Sequence, residues 1–172
     1  MMNNNSKAIQ KLSDKIKTIA IIYSILVGLL MIANVVAFFQ PVVNNINILD
    51  FDIQMKSDRY NIYIGYGIPM IASGLAALTI FDKLLIVKKD PMKTFHNEIM
   101  AIIVGVLDLA WAFKFKEWTN LNSIEYIYML RNNGTGMGVK LYAICGWLLI
   151  ISTVAYIVIR CIVKKQRNGK NA

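Results

Sequence analysis

Asp108 is the residue of this chain that is hardest to place by chance. It interrupts the segment 99–113, which is otherwise apolar. A carboxylate inside hydrocarbon is costly and marks either a functional site or a hydrogen bond between helices. Two functional chemistries suit it: relay of a proton or cation, or counter-charge to a cationic substrate. Against them stands a packing role. Asn34, at comparable depth in the first apolar segment, fits as a partner, and so does Lys140 at the start of the last. The acid is then either protonated and donating a hydrogen bond, or charged and paired with Lys140. Transport sites gather several polar groups, whereas this sequence offers Asn34, Asp108 and scattered Ser and Thr. The packing role is therefore expected.

Other candidates carry less. His96 is the single histidine. It stands beside Asn97 and Glu98 and reads as a solvated interfacial residue rather than a pH sensor. One histidine builds no metal site. Cys145 and Cys161 lie too far apart along one segment to bridge, and both read as small buried apolar residues. Asn133-Gly-Thr135 matches a glycosylation sequon, a pattern that recurs by chance. Gly134, Gly136 and Gly138 are not a dinucleotide fingerprint, because no βαβ unit surrounds them. There is no serine–histidine pairing, no H-E-x-x-H and no P-loop, so neither an enzyme nor a cofactor is expected.

The elements that must position these residues are set by hydropathy. The chain has 172 residues, 56% hydrophobic, with mean hydropathy +0.49. Such a balance and length suit one membrane domain rather than a soluble one. Four spans are expected at 18–39, 63–87, 91–115 and 141–163, each long enough for about 30 Å of hydrocarbon. The first is too long for a signal-peptide core, and no small-residue cleavage site follows it. Gln40-Pro41 ends it. Pro69 should bend the second span. Asp90-Pro91 has the N-cap and first-turn chemistry of a helix start. In the third span Ala101, Gly105, Asp108 and Ala112 share one face, with Val104, Trp111 and Phe115 beside it. Ile102, Val106, Leu109 and Phe113 share the other. Small residues admit a neighbouring helix, and large aliphatic ones suit lipid. Gly67, Gly74, Gly105 and Gly146 are the expected helix-packing glycines.

The loops 40–62 and 116–140 carry the remaining pattern. Segment 49–56 alternates strictly, with Leu49, Phe51, Ile53 and Met55 against Asp50, Asp52, Gln54 and Lys56, which predicts a half-buried strand. Segments 59–64 and 124–130 are candidate partner strands, and Lys164–Ala172 reads as a mobile basic tail. The expected fold is thus an all-α membrane protein, a four-helix transmembrane bundle with a small extracellular β-element.

Formal net charge is +9 and the sequence pI about 9.6. The basic residues flank apolar segments, which points to anionic lipid headgroups rather than nucleic acid. Lys7, Lys11, Lys15 and Lys17, then Lys88, Lys89 and Lys93, then the C-terminal lysines and arginines fall on one side. Asp50, Asp52, Asp58, Glu117 and Glu125 fall on the other. The positive-inside rule puts both termini in the cytoplasm of a cell-membrane protein.

The segment GTGMGVKLYAICGWLLI, together with the FFQP that closes the first span, resembles a pattern in small tetraspan membrane proteins of low-GC bacteria, and the layout is similar to claudin-like tetraspans. The N-terminal zinc ribbon of some such proteins is absent here. The resemblance implies the four-span fold and no particular activity. With no catalytic motif, the expectation is a non-catalytic accessory, scaffold or envelope-associated subunit that meets lipid, other membrane proteins or itself. The alternative is a small transporter or channel subunit using Asp108.

Overall fold

The computed structural model describes residues 4–41, 59–89, 95–121 and 136–171. They form four α-helices: α1 Asn4–Phe38, α2 Arg59–Lys89, α3 Phe95–Leu121 and α4 Met137–Asn171. Within them Ser13–Phe38, Gly67–Leu84, His96–Phe113 and Met137–Gln166 are long and apolar enough to cross a membrane. A helix satisfies its own backbone polar groups, which is what hydrocarbon demands of a spanning segment. At about 1.5 Å per residue, the 35 residues of α1 and of α4 extend well past the hydrocarbon thickness.

The helices form a ring in chain order. α1 packs on α2 and α4, α3 packs on α4 and less extensively on α2, and α1 touches α3 across the middle. Neighbours are antiparallel, so both chain termini share one end of the bundle, here the terminal end. The opposite end, where α1 stops and α4 starts, is the far end. Each helix buries a stripe at three- and four-residue spacing. On α1 it is Ile16, Ala20, Tyr23, Ser24, Val27, Met31, Asn34, Ala37 and Phe38, the seam of a helical bundle. The outside is inverted relative to a soluble protein. Ile22, Leu78, Phe113 and Ile151 are about 60–70% exposed, while Ser24, Asn34, Ser73, Asp108 and Thr153 are fully buried. Four apolar helices with polar groups inside and aliphatic ones outside are the architecture of a multi-pass membrane protein.

The far end is closed by the backbone. Phe39 and Gln40 donate to the carbonyls of Val36 and Ala37, tightening the last turn of α1 before Pro41. The Pro41 carbonyl then accepts the Gly138 N–H at 2.9 Å. That N–H is one of the first-turn donors of α4 that has no intrahelical partner. The end of one helix thus caps the start of another.

Several expectations are corrected. Residues 59–64 are not a strand; they are the first turns of α2. No strand occurs among the described residues. The alternating segment 49–56, segment 124–130 and the Asp90-Pro91 start all lie outside them. The helices also run beyond the expected spans, whose bounds are those of hydropathy and not of helix ends: the basic tail is helical to Asn171, α3 continues past Lys116 to Leu121, and α4 starts at Met137. The common cause is helix cooperativity. Once an apolar span has nucleated, each flanking residue gains a hydrogen bond at little further cost, so ends run on past the hydropathy boundary. In α2 the same extension overrides the β-propensity of Tyr60, Ile62 and Tyr63.

Candidate functional site: two polar tiers in the bundle interior

α3 turns Ala101, Val104, Gly105, Asp108 and Ala112 inward and leaves Ile102, Val106 and Phe113 exposed. Asp108 is fully buried. Asn34 reaches it from α1, its Nδ2 donating to Asp108 Oδ2 at 2.5 Å and to Ser73 Oγ of α2 at 3.2 Å. One carboxamide therefore ties three helices. The fourth helix closes the cluster without a polar atom. A Cβ on Gly146 would stand 3.0 Å from the Cβ of Asp108 and 2.9 Å from the Gly105 carbonyl. Only a residue without a side chain lets α4 lie this close. Two oxygens of the cluster, Asn34 Oδ1 and Asp108 Oδ1, are buried and accept no hydrogen bond among the described residues.

A second tier lies ten residues toward the terminal end on α1, at Ser24, and ten to eleven on α3, at Glu98 and Asn97, about 15 Å at the helical rise. Asn97 Nδ2 donates to Ser24 Oγ at 3.3 Å. Thr153 Oγ1 donates to its own helix at Leu149 O, so the Tyr23 hydroxyl is the donor in the 3.0 Å contact between the two side chains. The Tyr23 ring stacks on Tyr156 at 4.2 Å, nearly parallel. Arg160 Nη1 donates to Glu98 Oε1 at 2.5 Å, with the Glu98 side chain 7% exposed and that of Arg160 22%. Side chains lean toward the N-terminus of their helix. In antiparallel α3 and α4 these two lean toward each other, which brings together residues that a level-by-level comparison keeps apart.

Between the tiers the interior is apolar. Val27, Met31, Ile80, Val104 and Leu149 are at most 1% exposed and pack on one another. The described residues contain no group of three or more His, Cys, Asp or Glu that could hold a metal ion.

The remaining sequence candidates separate. Lys140 is exposed on the first turns of α4, and the described partner of Asp108 is Asn34. His96 is exposed at the start of α3. Cys145 is buried, but Cys161 is exposed, which corrects the expectation that both are buried. Among the glycines, Gly105 and Gly146 meet backbone to backbone, Gly74 has only an ordinary contact with Val35, and Gly67 faces open space. Gly28, not singled out by sequence, carries the Phe81 ring, which a Cβ would meet at 2.9 Å. Ser73, the Ser24–Asn97 contact and the Glu98–Arg160 pair also escape sequence reading, because each is defined by a partner on another helix.

No family model, curated protein or solved structure matches this chain.

Proposed function

We propose that the protein is a non-catalytic multi-pass subunit of the cell membrane, an accessory, scaffold or envelope-associated protein that meets lipid and other membrane proteins, with both termini cytoplasmic. The observation that carries the reading is the apolar layer of Val27, Met31, Ile80, Val104 and Leu149 between the two polar tiers. A relay needs polar groups or water in continuous succession. Here polar groups lie about 15 Å apart along α1 and α3, and their bonds run between helices, as ties would. The resemblance of the GTGMG and FFQP segments to those of small bacterial tetraspans bears on the four-span layout alone. Those segments meet at the Gly138–Pro41 hydrogen bond.

Asp108→Asn in vesicles is the test. On this reading wild type and variant are equally inactive in proton- or cation-driven uptake, while Asp108→Leu, which offers Asn34 no acceptor, melts lower by an amount that corresponds to about 1–3 kcal/mol. Uptake by the wild type that Asp108→Asn abolishes at unchanged thermal stability would make the protein a transporter or channel subunit instead. Orientation is tested separately. Reporters fused at Ala172 and near Ser123 should report opposite sides of the membrane, and the same side for both would refute the four-span topology.

A further inference from the structure

The far-end tier has more acceptors than donors. Both hydrogens of Asn34 Nδ2 are used, one on Asp108 Oδ2 and one on Ser73 Oγ. That leaves Asn34 Oδ1 and Asp108 Oδ1 buried with no donor among the described residues. The side chains of Asn34, Ser73 and Asp108 are all at 0% exposure. The carboxylate also has no ion-pair partner there. The nearest described ion pair, Glu98–Arg160, is ten residues away along α3, and Lys140 is exposed. From α1 and α2 the groups that touch Asp108 or its partner are the neutral Asn34 and Ser73. From α4 the titratable groups buried at this level are the thiol of Cys145 and the phenol of Tyr142, one turn from Gly146. An isolated negative charge with bare oxygens, sealed inside a lipid-facing bundle, is strongly unfavourable. Small hard cations seek all-oxygen surroundings of carboxylate, amide carbonyl and hydroxyl.

We propose that the Asn34–Ser73–Asp108 cluster is a binding site for one small, hard positive charge, a proton or an alkali ion the size of Na⁺, held inside the bundle as part of its structure. Asp108 supplies the charge, Asn34 Oδ1 and Asp108 Oδ1 the free acceptors, and Ser73 Oγ a third oxygen. Gly146 keeps α4 close enough to seal it. The proposal goes beyond the scaffold reading, which is decided by uptake, whereas this one is decided by stability and does not require transport.

The experiment is thermal unfolding of the purified full-length protein in detergent. NaCl is exchanged for choline chloride at constant ionic strength in one series, and pH is varied without Na⁺ in the other. A ligand that binds only the folded state raises the melting point saturably. If the ligand is Na⁺, the wild type melts several degrees higher in NaCl than in choline chloride, and Asp108→Asn shows no difference. If it is a proton, the wild type loses stability as pH rises, NaCl has no effect, and Asp108→Asn lacks that pH dependence. Ser73→Ala, a milder change, then shifts the half-saturating Na⁺ concentration or the midpoint pH. A wild type that responds to neither, the same response in Asp108→Asn, or an unmoved midpoint in Ser73→Ala overturns the proposal. The last readout holds even if Asp108→Asn fails to fold.

Discussion

Replacing Gly146 by alanine should be the most damaging one-carbon change among the glycines of the spans. The added Cβ would lie 2.9 Å from the Gly105 carbonyl oxygen, 3.0 Å from Asp108 Cβ and 3.0 Å from Leu109 Cγ. Two of these neighbours are fixed to the α3 backbone and have no rotamer to change, so α3 and α4 must separate by several tenths of an ångström. Overpacking of this kind costs about 1–3 kcal/mol, and here the upper part of that range is expected. The separation also draws Asp108 away from Asn34. For a chain of this size each kcal/mol lowers the melting point by about 2–4 °C. Gly105→Ala should cost less. Its closest contact, Ile150 Cγ1 at 2.9 Å, is a side-chain atom that can turn away, although the Gly146 carbonyl at 3.0 Å cannot. Gly28→Ala should cost less again, because the atom it meets is the tip of the Phe81 ring, 40% exposed and free to swing outward. Gly67→Ala meets nothing within 4 Å and should be near neutral. Melting points of the four purified variants give the order directly. If Gly146→Ala melts no lower than Gly67→Ala, the close contact of α3 and α4 is not a feature of the folded protein.

Tyr23→Phe keeps the stack on Tyr156 and removes the hydroxyl that donates to Thr153, while Thr153 retains Leu149 O. The loss should be about 0.5–1.5 kcal/mol, a melting-point drop of a few degrees; no drop would mean the hydrogen bond adds nothing. Arg160→Met takes the guanidinium from a nearly buried Glu98. Breaking a buried pair from one side costs about 3–5 kcal/mol, and the partial exposure of Arg160 places this case at or below the lower end. Adding Glu98→Gln to Arg160→Met should recover part of the loss, and no recovery would show that the pair is not coupled.

How far the fold can be read from sequence depends on whether a feature belongs to one helix or to two. The inward face of α3 is legible because small residues and Asp108 recur at helical spacing against a row of large aliphatics. Asn34 is legible as a neighbour of Asp108 because both stand at similar depth in their spans. Glu98 and Arg160 are not, since their meeting depends on the opposite lean of side chains on antiparallel helices. Gly67 and Gly146 look alike in sequence, yet only the second faces a neighbour, because the spacing that marks a face does not say whether a helix or lipid lies on it. Lys140 illustrates the same limit. It stands at the right level of α4 but on the exposed side, since the glycine face of that helix, not the lysine face, is the one against α3.

In hydrocarbon, apolar surface alone does not choose one register over another, because lipid tails solvate Leu and Ile as well as a neighbouring helix does. Here the choice is made by contacts that tolerate no sliding. α1 and α3 are held at two levels, Ser24–Asn97 and Asn34–Asp108, with offsets of 73 and 74 residues, so both contacts accept the same parallel register. α1 and α4 are held at Tyr23–Thr153 and at Pro41–Gly138. α3 and α4 are held at Glu98–Arg160 and at Gly105–Gly146. A shift of one turn in any of these pairs would break both of its contacts at once. α2 differs. Its described polar tie is Ser73 alone, with the packing of Phe81 on Gly28 and Val35 near Gly74, and with α1 it borders an outward apolar groove of about 630 Å³. The bundle is therefore three helices locked in mutual register, with α2 held to them chiefly by apolar packing. In lipid, that is the kind of contact a neighbouring apolar helix can replace at least cost.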